Sequence, residues 1–183
     1  MKWTGLKNLI IFSLICATTL LCESAIAGKP NVCEGQFALC TTAKCSPIAG
    51  QKGLALCHCS VQNAYSAGYK SCQKVTSTTA DFQLIQSRYY PIQSYVTCSN
   101  DHAWANCLDS PCVVDSNDPT RALCTCPIVQ NKGDYVIVSD SCDKSGCDSG
   151  LYSSALVTDS KKMADYLTDQ KNLPNISPIA CKQ

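Results

Sequence analysis

The first hydrophobic feature of the chain is a mostly apolar run of 13 residues, 9–21. Lysines precede this run, and Ala25-Ile26-Ala27 supplies the small residues that a signal peptidase reads after it. The run is too short to cross the ~30 Å hydrocarbon layer of a bilayer as a stable anchor. We predict that residues 1–27 are a secretory signal peptide and that the mature chain has no membrane span. The alternatives are a retained anchor and a lipoprotein that begins at Cys22.

A strand-like alternation occurs twice in the remaining chain. In the first copy Ala55, Cys57, Cys59 and Val61 share one face, and the second copy has the same pattern 67 residues later. Side chains two residues apart on a strand have Cβ atoms ~6–7 Å apart. A disulfide requires ~3.8 Å between Cβ atoms. The two cysteines of each Cys-x-Cys are therefore predicted to bond to different partners.

The alternating strand belongs to a longer repeat. Four cysteines, Cys40, Cys45, Cys57 and Cys59, recur 67 residues later as Cys107, Cys112, Cys124 and Cys126. Flanking residues keep this offset, since Phe37-Ala38 becomes Trp104-Ala105. Similarity at a fixed period is typical of one structural unit used twice. We predict a Cys-rich unit at residues 28–98 and a related unit at residues 99–183.

The second unit is longer than the first. Ala80-Asp81-Phe82 matches Ala164-Asp165-Tyr166 at a larger offset than the cysteines do. This difference places an insertion near residues 132–158.

The cysteine content predicts a disulfide framework. Removal of the signal peptide leaves 156 residues with 14 cysteines, an even number in an exported chain. The predicted framework comprises Cys33, Cys40, Cys45, Cys57, Cys59, Cys72, Cys98, Cys107, Cys112, Cys124, Cys126, Cys142, Cys147 and Cys181. We predict that Cys142 or Cys147 pairs with Cys181 and fixes the C-terminal tail.

Local patterns also predict the other elements of each unit. Residues 131–138 indicate a turn followed by a strand, hence a hairpin with the preceding strand. Residues 159–173 have helical spacing. Residues 79–90 of the first unit also have helical spacing, and a strand is the alternative there. The predicted fold class is a small disulfide-rich α+β protein with two tandem related units, each a β-hairpin plus a short helix.

Composition and charge exclude some classes of protein. With 45% hydrophobic and 16% charged residues the chain differs from disordered segments, and its net charge of +1 gives no support for nucleic-acid binding. Residues 28–97 carry +4 and residues 98–183 carry −4. We interpret this division mainly as attraction between the two units, and a bipolar surface for a partner is the alternative.

Few residues suggest catalysis or metal binding. Gly146-Cys147-Asp148-Ser149-Gly150 contains the Asp-Ser-Gly of a serine protease nucleophile, but neither His58 nor His102 has the flanking residues of the required base. Cys57-His58-Cys59 suggests a metal corner, yet its copy Cys124-Thr125-Cys126 keeps the cysteines without the histidine. The predicted strand also turns His58 to the face opposite its neighbouring cysteines. Aspartates in the insertion lack the spacing of an EF-hand. We predict no catalytic residue, no metal site and no cofactor.

Tyrosines and one acid–histidine pair are the candidate ligand surface. Tyrosine is common at binding surfaces because it offers a large contact area at a low entropy cost. The candidates are Tyr89, Tyr90 and Tyr95, with Asp101 and His102, which have no matching ionisable pair in the first unit.

These patterns favour a non-enzymatic protein. We expect an exported, disulfide-stabilised binding protein for a protein or glycan ligand, located in the periplasm or secreted, and no binding of nucleic acid. The alternatives are a hydrolase that uses Asp101 and His102, and a protein that handles thiols or metals. The sequence does not define an oligomeric state.

Overall fold

The computed structural model describes residues 28–72, 77–79, 82–89, 94–139, 141–170 and 179–181. The predicted signal peptide and Tyr90 lie outside these ranges. Neither helix in the described ranges combines the length and apolar character that crossing a membrane requires.

The described residues form a twelve-stranded sheet and two helices. The first half contains β1 (Asn31–Leu39), β2 (Cys45–Pro47), β3 (Leu54–Gly68), β4 (Ser77–Thr79), β5 (Phe82–Gln86) and β6 (Ser94–Cys98). The second half contains β7 (Trp104–Asn106), β8 (Pro111–Val114), β9 (Arg121–Val129), β10 (Tyr135–Val138), α1 (Ser145–Asp148), β11 (Ser153–Leu156), α2 (Val157–Thr168) and β12 (Ile179–Ala180).

The centre of the sheet is the antiparallel pair β3 and β9, which are the two copies of the alternating strand. Cys57 lies opposite Cys124 in this pair, and the two residues are equivalent positions of the repeat. Exchanging the copies therefore maps the pair onto itself, which places a local twofold axis between Cys57 and Cys124. The neighbouring strands follow the same relation, because Cys45 of β2 faces Cys57 just as Cys112 of β8 faces Cys124.

Each half also supplies a segment to the other half. From the first half, β5 pairs with β8, with Ile85 opposite Cys112. From the second half, the carbonyl of Leu151 accepts a hydrogen bond from the backbone N–H of Cys45 at 2.9 Å. The side chains of Ile85 and Leu151 both pack on the same core cluster. The two halves thus interlock within one sheet.

Four disulfides fill the inner side of the central strands. They are Cys40–Cys59, Cys45–Cys57, Cys107–Cys126 and Cys112–Cys124, with sequence separations of 19 and 12 in each half. We call these eight buried cysteines the sulfur core. Small residues such as Ala55 and Ala122 pack against them, so sulfur fills the volume that aliphatic side chains usually occupy. As predicted, the two cysteines of each Cys-x-Cys bond to different partners.

Three further disulfides lie outside the sulfur core. They are Cys33–Cys72, Cys98–Cys147 and Cys142–Cys181. Of the two predicted partners for Cys181, the structure selects Cys142. All fourteen cysteines from residue 28 onward are paired.

Two smaller apolar clusters complete the core. In one, the ring of Trp104 stacks on that of Tyr135 with 5.9 Å between centroids. In the other, Met163 and Leu167 of α2 pack with Ala67 of β3. The second cluster attaches α2 to the end of the central strand.

The predicted fold class, two tandem α+β units of a hairpin and a helix, is wrong. The described chain is mostly β, and the predicted helix at residues 79–90 is largely replaced by β5. The spacing of apolar residues there suggests a helix, but the burial of Ile85 favours a strand. As part of β5, Ile85 lies opposite Cys112 and packs on the sulfur core. Only the second predicted helix, at residues 159–173, has a counterpart, in α2.

The predicted hairpin at residues 131–138 is also wrong. The strand β10 forms, but its partners are β6 and β11 and not β9. Periodicity identifies a strand and its buried face but not its neighbour in the sheet. The limits of the two units, 28–98 and 99–183, stay a prediction.

Replacing both Cys45 and Cys57 by alanine should lower the free energy of unfolding by about 2–4 kcal/mol, because this crosslink restricts the unfolded chain. The matched control is the pair Cys112 and Cys124, which has the same separation of 12 residues. Its removal should have an effect of the same size. Urea denaturation followed by circular dichroism measures both, and a loss confined to one pair would contradict a symmetric sulfur core.

Candidate functional site

A cleft of about 580 Å³ lies at one end of the central strand pair. Residues 58–62 of β3, residues 120–123 and Asp115 line it. We call it the β3–β9 cleft. Its volume is in the range of small-molecule sites, which is roughly 300–1,000 Å³.

The alternation of β3 places polar side chains at this cleft. His58, Ser60 and Gln62 are exposed, whereas Cys57 and Cys59 point into the sulfur core. The disulfides therefore hold the strand from the inner side and leave the outer side available for contact. This agrees with the prediction that His58 faces away from its neighbouring cysteines.

Asp118 positions Arg121 beside the cleft. Oδ1 of Asp118 accepts a hydrogen bond from the backbone N–H of Thr120 at 3.1 Å, and Oδ2 lies 3.1 Å from Nε of Arg121. Hydrogen bonds from Thr120, followed by the charge of Arg121, hold the pKa of Asp118 below its ordinary value. The carboxylate engages only Nε, so the terminal N–H groups of Arg121 have no protein partner among the described residues.

The repeat supplies a second copy of the same backbone at the opposite end of the twofold axis. At the cleft, the N–H of Val61 donates to the carbonyl of Thr120 at 2.8 Å. At the other end, the N–H of Ile128 donates to the carbonyl of Gly53, also at 2.8 Å. Each of these residues is offset by 67 from its equivalent. The two ends therefore share one backbone arrangement.

The side chains at the two ends differ in polarity. Where the cleft has His58, Gln62, Asp115 and Arg121, the other copy has Thr125, Val129, Ile48 and Leu54. The equivalent backbone therefore carries largely apolar residues at the other end. The polar set distinguishes the cleft from its counterpart in the repeat.

An apolar row continues from the cleft across the outer face of the sheet. Leu84 lies opposite Val113, Val113 opposite Leu123, and Leu123 opposite His58. The three aliphatic residues are between 37% and 47% exposed. The row places hydrocarbon surface directly beside the polar groups.

The structure brings the predicted residues Asp101 and His102 together with Asp148. Nδ1 of His102 lies 3.0 Å from Oδ1 of Asp101, and Nε2 lies 3.6 Å from Oδ1 of Asp148. The hydroxyl of Ser99, followed by His102, lowers the pKa of Asp101. The His102 side chain is 45% exposed, and both of its ring nitrogens already face a carboxylate.

The hydroxyl of Ser149 in the Asp-Ser-Gly segment has partners close to it in sequence. Its oxygen lies 3.4 Å from the carbonyl oxygen of Gly146 and 3.4 Å from the hydroxyl oxygen of Tyr152. Within the described ranges it has no hydrogen bond to His102, whose Nδ1 faces Asp101 and whose Nε2 faces Asp148.

The predicted tyrosines lie apart from the cleft. Tyr89 is half-buried and packs with the cluster beneath α2. Tyr95, also half-buried, lies on β6 between Val138 and Ala180. Tyr90 falls outside the described residues. The assignment of these tyrosines to a ligand surface stays a prediction.

One buried ion pair connects the two halves. Nη1 of Arg88 lies 3.3 Å from Oδ1 of Asp109, and both side chains are buried. Nε of Arg88 donates to the hydroxyl of Ser66 at 3.1 Å, and the backbone N–H of Tyr69 donates to Oδ2 of Asp109 at 2.6 Å. Burial lowers the pKa of Arg88, and Asp109 opposes this shift. The network has a structural role.

Sulfur atoms of the core approach metal-binding distances. Those of Cys40, Cys112 and Cys124 lie within 4.8 Å of one another, and so do those of Cys45, Cys57 and Cys107. Each of these sulfurs belongs to a disulfide, so none offers the thiolate that binds a metal.

The positions that match between the two copies do not identify the cleft residues. The informative positions are those that differ between the copies, such as Arg121 against Leu54. This signal is present in the sequence, but only the pairing of β3 with β9 brings His58 and Arg121 to one place.

Comparison with known proteins found no matching family model, no similar curated protein and no similar solved structure. The interpretation of the site therefore depends on its own geometry and on the internal repeat.

Changing Asp109 to alanine should lower the free energy of unfolding by about 3–5 kcal/mol, because it leaves the buried Arg88 without a counter-charge. The control is Lys162 to alanine, which breaks an exposed pair with Asp159 on α2. Such pairs contribute about 0–1 kcal/mol. Guanidinium denaturation measures both, and equal effects would contradict the structural role of the buried pair.

Stability should also fall as the pH rises above about 10, the ordinary tyrosine pKa. Burial raises the pKa of Tyr69, Tyr89 and Tyr135 in the folded state. These tyrosines lose their protons in the unfolded chain while the folded chain still retains them, so alkaline pH favours unfolding. Denaturation at pH 8 and pH 10.5 tests this, and replacing Tyr89 by phenylalanine should reduce the alkaline loss. If the alkaline loss of stability is the same in that variant, burial of the Tyr89 hydroxyl does not cause it.

Proposed function

We propose that the protein is an exported, disulfide-stabilised, non-enzymatic binding protein that holds a small polar ligand in the β3–β9 cleft. The observation that carries this proposal is the difference between the two ends of the repeat. Polar side chains line the cleft where the equivalent positions are largely apolar. Both ligand classes expected from the sequence, a glycan and a protein segment, offer polar groups that fit such a cleft.

The sulfur core supports a binding role because it fixes the cleft before a ligand arrives. His58 lies between Cys57 and Cys59, which are bonded to Cys45 and Cys40. A preorganised strand has little conformational entropy to lose on binding.

The alternatives have less support. A hydrolase at His102 would need a nucleophilic hydroxyl beside the ring, but among the described residues Nδ1 has Asp101 as its hydrogen-bond partner and Nε2 has Asp148 at 3.6 Å. A thiol-exchange protein would need a free thiol, but all fourteen cysteines from residue 28 onward are paired. Seven disulfides also favour an oxidising location, which is consistent with export to the periplasm or the medium.

We expect at least one small probe to bind saturably in the cleft. The probes are glucose, galactose, mannose, butyrate and butylamine, each titrated into protein labelled with nitrogen-15. Shifts of the backbone amides at residues 58–62 and 120–123 would report binding.

The double variant Gln62→Val and Arg121→Leu should abolish these shifts. It introduces the residues of the other copy, so its free energy of unfolding should change by only about 0.5 kcal/mol. Lys161→Ala, on the exposed face of α2, is the control and should bind normally. The proposal is overturned if no probe gives saturable shifts, or if the double variant folds and still gives them.

A further inference from the structure

We infer that the ligand of the β3–β9 cleft is a neutral saccharide. This inference rests on the proposed function and concerns the chemical class of the ligand. It follows from the hydrogen-bonding groups of the cleft that have no protein partner, from the balance of charge around them, and from the aliphatic surface beside them.

The cleft offers donors and acceptors together. Among the described residues, the terminal N–H groups of Arg121 have no partner, and Nε2 of Gln62 donates only to Ser60, at 3.3 Å. The acceptors are Oε1 of Gln62 and Oδ2 of Asp115, whose Oδ1 already accepts from the backbone N–H of Asn117 at 2.9 Å. A ligand for this set must both give and take hydrogen bonds.

A hydroxyl group meets this requirement, and a single charged group does not. A hydroxyl is a donor and an acceptor at once, whereas an ammonium only donates and an ionised carboxylate only accepts. Either ion would leave one kind of group in the cleft unmatched. Adjacent hydroxyls on a sugar ring can also pair with the planar ends of arginine, glutamine and aspartate side chains.

Charge in the cleft disfavours an anionic ligand. Asp118 already compensates the positive charge of Arg121, with 3.1 Å between Oδ2 and Nε. Among the described residues of the cleft, Asp115 is left as the uncompensated charge and would repel an anion. A cation is disfavoured by hydrogen bonding and not by charge, because it offers no acceptor to the N–H groups of Arg121.

The apolar row provides the remaining contact. Leu123, at 37% exposed, lines the cleft, and Val113 lies opposite it on the next strand. The C–H face of a sugar ring can pack on such aliphatic side chains while its hydroxyls reach the polar residues.

The experiment compares glucose, galactose and mannose with butyrate and butylamine by the same amide shifts. At least one hexose should bind about tenfold more tightly than either charged probe, which corresponds to about one additional net hydrogen bond. Its affinity should change less than about twofold between 50 and 500 mM salt, because screening acts on charges.

Two single variants test the donors and acceptors separately. Arg121→Leu and Asp115→Ile each introduce the residue of the other copy, and each should weaken the hexose about tenfold. Lys161→Ala should leave it unchanged. Unaltered affinity in both folded cleft variants would overturn the inference.

The outcomes separate the two proposals. If butyrate or butylamine shifts the cleft amides and no hexose does, the binding function stands and the saccharide inference fails. If none of the five probes binds, both fail.

Discussion

The structure depends on one contact between the two copies of the repeat, the antiparallel pairing of β3 with β9 above the sulfur core. Cys57 faces Cys124 across this pair, and the sulfurs of Cys40 and Cys124 approach to 3.4 Å, so the disulfides of the two halves touch. The inner positions of these strands carry mainly cysteine and alanine. A core of such small residues buries little hydrocarbon, and covalent crosslinks compensate by restricting the unfolded chain.

The same contact explains why the protein has two equivalent ends with different surfaces. A twofold arrangement repeats every backbone hydrogen bond near the axis, as the pairs Val61 with Thr120 and Ile128 with Gly53 illustrate. The outer side chains on this shared backbone differ between the two ends. One end has largely apolar residues, and the other has a guanidinium, an imidazole, an amide and a carboxylate. The internal comparison thus identifies the polar positions that distinguish the cleft from its counterpart.

Local patterns in the sequence predicted the strands of the repeat, the orientation of His58 and the separate partners of each Cys-x-Cys pair. They failed where partners are distant in sequence. Residues 82–86 became a strand because Ile85 completes the sulfur core beside Cys112, a contact that helical spacing does not reveal. In the same way β10 pairs with β6 and β11 and not with β9, the strand that precedes it in sequence. Local patterns do not reveal the cleft for a related reason, because His58 and Arg121 are distant in sequence and lie close together only when β3 pairs with β9.

The order of residues along the chain is enough to define the cysteine-rich composition of the core, the repeat and the alternation that turns cysteines to one side of each central strand. These are properties of local spacing, and a period of two residues is sufficient to define them. The tertiary structure alone decided which cysteines join, which strands are neighbours, and which polar residues meet at the cleft. Those choices depend on the free energy of long-range pairing, which cannot be read from any one segment because both partners must be present for the contact to exist.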